Sequence, residues 1–192
     1  TNLNEEKAAN TKLNAVALRD ITADSLDGLL DVAASIDAEL RFIEPMPLDA
    51  DRRWTPEDGL SGADLRALME LRGTLSPLSA PASATAQRFE LRRDVGGGAE
   101  RRTITQSVGL IASVTEPFCG ACDRLRLTAD GQLRTCLFSI HETDLREPLR
   151  DGASDTDLEA LIRDAVWRKE LKHHVNEPGF VQPERTMSRI GG

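Results

Sequence analysis

The first sixty residues alternate between apolar runs and polar segments in a way that predicts a strand, a helix and a second strand. The run KLNAVAL, residues 12–18, is apolar enough for a buried strand. Leucines at helical spacing follow Asp24, which we expect to cap the helix. Residues 40–43 predict the second strand, which Pro45 and Pro47 end. A strand, a helix and a strand in this order favour a parallel βαβ unit.

Charged and small residues then separate this unit from the rest of the chain. Residues 48–60 predict a charged loop. Ser61 and Asp64 have the spacing of a capping box, so they predict the start of a second helix. Residues 74–86 are rich in Ser, Pro and Ala, which predicts an irregular connector.

The second half of the chain predicts antiparallel strands with helices. Residues 87–93 and 101–107 flank a run of three glycines, the signal of a hairpin, and residues 108–114 predict a further strand. A second hairpin is expected around Asp130-Gly131, the dipeptide that most strongly favours a tight turn. Ser154 opens the last predicted helix. The pattern therefore predicts an α/β segment followed by antiparallel β structure with helices.

The second hairpin brings the three cysteines of the chain together. Cys119 and Cys122 form a CxxC, and Cys136 lies thirteen intervening residues further on. A two-residue turn would place Cys136 opposite Leu125, and a three-residue turn with Gly131 in the left-handed conformation would place it opposite Arg124. With either turn, Cys136 returns to the base of the hairpin beside the CxxC.

Three converging thiols are consistent with more than one kind of centre. They can hold a [4Fe-4S] cluster by three of its irons and leave the fourth iron open. His141 lies near enough in sequence to complete a Cys₃His zinc site with Cys119, Cys122 and Cys136. A third interpretation is that the three cysteines are buried and bind no ligand. The spacing alone does not separate iron–sulfur from zinc.

Arg124 and Arg126 alternate along the first strand of this hairpin, so both project from one face. With the three-residue turn, that face is also the face of Cys136. Paired guanidinium groups beside an open metal position favour an anionic ligand such as a polyphosphate. A solvated strand face explains the two arginines equally well.

Composition narrows the functional classes. The 192 residues carry a net charge of -8, and tyrosine is absent, which argues against a nucleic-acid partner and an anionic membrane surface. No apolar run reaches the length of a membrane span. The polar first residues and the odd number of cysteines give no sign of export, so the sequence predicts reduced thiols and a cytoplasmic location.

The cysteine pattern FCxxCxRxRLTxDGxLxxCLF, from Phe118 to Phe138, resembles the C-terminal cluster motif of the molybdenum cofactor biosynthesis protein A family, the radical SAM GTP 3',8-cyclases. The KLN at Lys12, the RFIEPMP of residues 41–47 and the ending HHVNEPGFVQPERTMSRIGG are similar to the same family. These four separated matches run along nearly the whole chain in order.

The resemblance implies a function, a fold and a set of site residues. The family cleaves S-adenosylmethionine (SAM) at an N-terminal [4Fe-4S] cluster, and the resulting radical starts the conversion of GTP to its 3',8-cyclic product. The fold implied is the last βα repeats of an incomplete TIM-type barrel, residues 1–73, followed by an antiparallel β and helical cap that carries a second iron–sulfur cluster, residues 74–192.

The family roles transfer by position to this chain as follows. The resemblance implies that Cys119, Cys122 and Cys136 hold the second [4Fe-4S] cluster. It implies contacts of Met46 with SAM and a flexible tail at Gly191 and Gly192 that enters the active site. It implies GTP contacts from five further residues: Lys12, Arg41, Arg124, Leu125 and Arg126.

One departure from the family limits these roles. The radical-generating CxxxCxxC is absent, since all three cysteines belong to the other motif. We therefore expect the chain to correspond to the C-terminal portion of the enzyme and to be inactive alone. The first strand would then have an open edge that needs the missing segment. A homodimer is a further expectation.

Overall fold

The computed structural model describes residues 11–190, which form two compact units. One unit contains the described residues up to Pro45 together with Thr55–Phe118. The other contains Met46–Trp54 and the residues from Cys119 onward. The sequence places its domain boundary between residues 73 and 74, whereas in the structure the strands after residue 73 belong to the same sheet as the strands before it.

The first unit begins with the predicted βαβ arrangement. Strand β1 covers Lys12–Val16, helix α1 covers Arg19–Ser35, and strand β2 covers Glu39–Ile43. The two strands are parallel, and Leu13 pairs with Leu40, so the prediction of a parallel unit is confirmed.

The predicted cap of α1 is wrong. The helix begins at Arg19 with Leu18 as N-cap, and Asp24 lies in its exposed interior. No side chain caps this helix. Instead, the guanidinium of Arg19 donates to the carbonyl oxygens of Glu57 and Gly59 at 3.1 and 2.9 Å, and Thr22 is buried. Contacts of the first turn with residues distant in sequence therefore determine where the helix begins. Such contacts cannot be predicted from the local sequence.

Helix α2, Gly62–Glu70, has the predicted capping box. The Ser61 hydroxyl accepts from the Asp64 amide at 3.1 Å, and the Asp64 carboxylate accepts from the Ser61 amide at 3.0 Å. These two bonds provide acceptors for the amides of Ser61 and Asp64, which have no carbonyl acceptor within the helix.

Strands β3, Gly73–Leu78, β4, Gln87–Val95, and β5, Arg102–Ile111, complete a five-stranded sheet in the order β1-β2-β5-β4-β3. The glycine-centred hairpin of β4 and β5 is confirmed. Two other predictions are wrong. Residues 73–78 are a strand at the sheet edge, where Pro77 is tolerated. Residues 108–111 continue β5, because this long strand pairs with β4 along its length and with β2 at its end.

The two faces of this sheet differ. On one face, α1 and α2 cover a hydrophobic core of twelve buried residues: Ala17, Leu26, Leu30, Ala33, Leu40, Phe42, Leu60, Leu65, Met69, Leu91, Val108 and Leu110. The strand register places Glu39, Arg41 and Arg88 on the opposite face, together with Lys12. This charged face thus contains Lys12 and Arg41, two of the residues for which the sequence predicts ligand contacts.

The second unit contains a small antiparallel sheet in the order β6-β7-β8, whose strands are Arg126–Leu127, Gln132–Arg134 and Thr143–Asp144. Helices α3, Arg146–Arg150, and α4, Asp155–Trp167, follow. Ser154 caps α4 as predicted. Short 3-10 helices occur at Cys119–Ala121 and Met187–Arg189 in this unit and at Pro56–Asp58 and Gly98–Glu100 in the first.

The structure confirms a mixed α/β fold with a separate antiparallel sheet. The assignment of the βα units to a barrel stays a prediction. Within residues 11–190, none of the helices combines the length and the apolar character that crossing a bilayer requires.

Glu44 follows β2 and is expected to contribute strongly to the stability of the first unit. Its buried carboxylate accepts from the amides of Val114 and Thr115 at 2.7 and 2.9 Å. Glu44→Ala leaves both amides without this acceptor, so we expect a loss of about 2–4 kcal/mol in the free energy of unfolding, measured by urea denaturation. Glu44→Gln retains one acceptor oxygen and should lose less. Equal stability of the two variants would contradict this role.

Candidate functional site

The turn of the cysteine hairpin has three residues. The Thr128 amide donates to the carbonyl oxygen of Gln132 at 3.0 Å, which leaves residues 129–131 in the turn. Gly131 has a φ of 81°, the left-handed conformation that this turn requires. The Thr128 hydroxyl accepts from the Gln132 amide at 2.9 Å and donates to Asp130 at 2.6 Å. The side chain of Thr128 therefore supports the turn from within.

This turn sets the register that the arginines require. Leu127 pairs with Leu133, and Arg126 pairs with Arg134. The two strands end before Arg124 and Cys136 are reached, so the ladder itself pairs only Arg126 and Leu127. Of the two turns that the sequence allowed, the structure contains the three-residue turn, the one for which the sequence predicts a common face for the arginines and Cys136.

The CxxC lies at the base of this hairpin on a short 3-10 helix. The Cys122 amide donates to the Cys119 carbonyl at 3.0 Å, which folds the CxxC back on itself. The Arg124 guanidinium approaches the Cys122 sulfur at 3.0 Å. Burial raises the pKa of the Cys122 thiol, but the amide and guanidinium of Arg124 outweigh burial and, with Lys169, hold this pKa below its ordinary value. The environment of Cys122 thus favours a thiolate.

Cys136 has a different environment. Burial raises the pKa of its thiol, and the carboxylate of Glu170 and the neighbouring Cys119 add to this effect. The Phe138 amide, a hydrogen-bond donor to the sulfur, acts in the opposite direction. All three cysteines are half-buried free thiols. The side chain of Arg126 lies within the electrostatic reach of both Cys136 and Cys122.

Lys169 and Glu170 support the hairpin base, and sequence reasoning missed them because they look like a charged helix end. The Lys169 ammonium donates to the Arg124 carbonyl at 3.0 Å and to the Thr135 carbonyl, so it joins the two strands of the hairpin. Glu170 accepts from the Thr135 hydroxyl at 2.7 Å. No local signal marks these residues, because their partners lie more than thirty positions earlier in the chain.

A single metal ion and an iron–sulfur cluster place different demands on the three thiols. Across residues 11–190, no three His, Cys, Asp or Glu side chains are grouped to hold one metal ion. A zinc ion needs all its ligands within about 2.3 Å of one point. In a cluster each thiolate binds its own iron, which allows the sulfurs a wider spacing. His141, the candidate fourth zinc ligand, is exposed.

Two other predicted ligand contacts lie in the first unit. Lys12 is an exposed residue at the start of β1, and Arg41 lies in the middle of β2. Both line a cavity of about 690 Å³. Leu125, by contrast, belongs to the second unit, where its side chain is 40% exposed.

Met46 and the C-terminal tail belong to the second unit. Met46 is half-buried, and the tail approaches the segment that follows it: the Met187 amide donates to the Leu48 carbonyl at 3.3 Å, and Gln182 donates to the Asp49 carbonyl at 3.2 Å. Ile190 is fully buried. Gly191 and Gly192, for which the sequence predicts a role in the active site, lie outside the described residues.

Arg185 joins the tail to the hairpin turn. Its guanidinium donates to both Asp130 carboxylate oxygens at 3.0 and 2.8 Å and also to Glu142 at 2.9 Å. The bonds from Arg185, together with the hydroxyl of Thr128, hold the pKa of Asp130 well below its ordinary range. The same turn that returns Cys136 therefore also positions the tail.

Arg185→Ala is expected to release the tail while the rest of the unit stays folded. Amide hydrogen exchange of residues 186–190 should become several-fold faster, because the charge-assisted bonds to Asp130 and Glu142 are lost. Arg189→Ala is the matched control, since Arg189 is exposed and the described residues provide no hydrogen-bond partner for its side chain. Equal exchange in the two variants would contradict the role of Arg185.

Comparison with known proteins identifies relatives along most of the chain. The family Molybdenum Cofactor Synthesis C matches residues 38–175. A GTP 3',8-cyclase of Paenarthrobacter nicotinovorans is 48% identical, over 94% of this chain and 53% of its own length. Enzymes with the same name from Corynebacterium glutamicum (strain R) and Streptomyces coelicolor are 43% and 45% identical, over 94% of this chain and 47% and 51% of their own lengths. The chain thus spans about half the length of these curated relatives.

Proposed function

Since the chain belongs to the Molybdenum Cofactor Synthesis C family, we propose that it is the C-terminal, GTP-binding and cluster-binding portion of a GTP 3',8-cyclase of molybdenum cofactor biosynthesis. The relatives that carry this name support the reaction, and the register of the cysteine hairpin supports the cluster. The hairpin is the observation that carries the proposal, since Arg124 contacts the Cys122 sulfur and Arg126 lies within the electrostatic reach of Cys122 and Cys136.

In this proposal Cys119, Cys122 and Cys136 hold a [4Fe-4S] cluster. Three thiolates leave one iron without a protein ligand, and that iron is where a substrate atom would bind. Lys169 keeps the two strands of the hairpin together beneath the cysteines. Arg124 stabilises the thiolate of Cys122 through its guanidinium.

GTP is the proposed ligand of the five residues that the resemblance to the family indicates. Arg124 and Arg126 would offer guanidinium donors to the nucleotide, with Leu125 between them. Lys12 and Arg41 would bind its phosphates, because both side chains are cationic and line one cavity. Met46 would contact SAM, and the Gly191-Gly192 tail would lie close to the substrate, since glycine allows close backbone approach.

The chain is not proposed to perform the reaction unaided. The family uses a CxxxCxxC to cleave SAM, and this chain has no such motif. The radical step therefore requires the N-terminal portion of the enzyme. Lyase activity, a cytoplasmic location and a homodimer belong to the same proposal.

Anaerobic purification and metal analysis test the cluster. We expect about four iron and four sulfide per chain after reconstitution, with a broad absorption band near 400 nm, as the proposed [4Fe-4S] centre requires. A colourless chain that holds about one zinc would support the alternative, a Cys₃His interaction module. GTP binding by the reconstituted chain, measured by calorimetry, tests the ligand, and no binding would overturn the assignment of GTP.

A further inference from the structure

A buried carboxylate joins two arginines on the charged face of the first sheet. The Nε of Arg41 donates to one oxygen of Glu39 at 2.5 Å, and the Nε of Arg88 donates to the other oxygen at 2.6 Å. The side chain of Glu39 is 8% exposed, and those of Arg41 and Arg88 are 19% and 38% exposed. One carboxylate thus fixes two guanidinium groups that come from different strands.

Gly109 makes this arrangement possible. In the strand register Arg41 pairs with Gly109, and Gly109 pairs with Arg88, so the glycine separates the two arginines in a row across the sheet. Alternate strands lie about 10 Å apart, a gap that two long side chains can close only above a small residue. A Cβ at Gly109 would lie 3.0 Å from the Cγ of Arg41. A larger residue would therefore displace Arg41 from its place over the strand.

Arg41 and Arg88 retain hydrogen-bond donors that a ligand could use. Each arginine uses its Nε for Glu39, and no other described residue accepts a hydrogen bond from the terminal Nη groups of either arginine. Three cationic side chains, Lys12, Arg41 and Arg88, outnumber the two carboxylates of the cavity lining, Asp37 and Glu39, so the lining carries an excess of one positive charge. Guanidinium groups in a fixed orientation bind phosphate oxygens through paired N–H donors.

We propose that Arg88 is a further phosphate-binding residue, which acts with Arg41 as a two-arginine clamp, and that Glu39 is the positioning residue that orients both. The ligand group is the phosphate chain of a nucleoside triphosphate, so this inference rests on the proposed function and adds two residues to it. Arg88 contacts the ligand, whereas Glu39 acts through the two arginines.

Calorimetry on the full chain with GTP, inorganic tripolyphosphate and guanosine tests the clamp. Arg88→Ala should weaken the binding of GTP and tripolyphosphate about tenfold or more, because charge-assisted bonds are lost, and should leave guanosine binding unchanged. Arg92→Ala is the matched control. Arg92 lies on the same strand and face about 13 Å away and outside the cavity lining, and its loss removes the same charge.

The variant Glu39→Gln tests whether Glu39 orients the two guanidinium groups or only offsets their positive charge. Removal of a negative charge alone would strengthen anion binding, whereas loss of the orientation of both guanidiniums should weaken it. We expect weaker binding of tripolyphosphate, and tighter binding would overturn the positioning role.

The outcomes also distinguish the clamp from the proposed function. GTP binding that is equal in wild type and Arg88→Ala would overturn the clamp and leave the proposed function in place. Arg88-dependent binding of tripolyphosphate without binding of GTP would support the clamp and overturn the GTP assignment. If the wild-type chain binds neither compound, both proposals fall.

Discussion

Replacement of Cys136 by serine is expected to reduce the iron and sulfide of the reconstituted chain to background. Cys136 is the cysteine that the second strand of the hairpin returns to the CxxC, and two remaining thiols cannot hold a three-thiolate cluster. Serine retains the shape of the residue, so the fold should survive. Circular dichroism measures the fold, and iron and sulfide analysis with the visible spectrum measures the cluster.

His141→Ala is the control that separates the two metal centres. In the iron–sulfur proposal His141 is not a ligand, so this variant should retain its full iron and sulfide content. In a Cys₃His site the same change would remove a zinc ligand and lower the zinc content. A Cys136→Ser chain that keeps wild-type iron, or a His141→Ala chain that loses its metal, would overturn the proposed cluster.

Local patterns predicted most elements of the fold correctly, because the relevant interactions lie close together in sequence. The capping boxes of Ser61 and Ser154 each involve residues three positions apart, and Asp130-Gly131 specifies its own turn. The errors occurred where distant residues decide the outcome. Arg19 anchors the start of α1 through the backbone near Gly59, and residues 73–78 become a strand because β4 lies beside them.

The same distinction applies to the candidate site. The thiols and the arginines of the hairpin could be found from spacing, since one turn relates them. Lys169, Glu44 and Arg88 could not, because each derives its role from partners more than twenty residues away. Roles that depend on distant partners were therefore less predictable than roles that a single turn determines.

The second large effect is expected from Gly131→Ala in the turn of the cysteine hairpin, which should reduce both the stability of the chain and its metal content. Gly131 has a φ of 81°, and an ideal Cβ there would lie 2.6 Å from the Cβ of Arg146. Gly131→Ala therefore combines the cost of a left-handed alanine, about 1–2 kcal/mol, with a steric displacement of about 1–3 kcal/mol. We expect a total loss of about 2–5 kcal/mol in the free energy of unfolding, measured by urea denaturation.

Gly152→Ala is the control that measures the backbone cost alone, so the difference between the two variants is the steric part of the loss. Gly152 has a φ of 85°, close to that of Gly131, but nothing lies within 4 Å of its ideal Cβ. This variant should lose about 1–2 kcal/mol and keep its full iron content. Gly131→Ala should lose more stability and also bind less iron, because a distorted turn moves Cys136 away from the CxxC. Equal losses of stability in the two variants, or full iron retention in Gly131→Ala, would show that the turn does not control the position of the third cysteine.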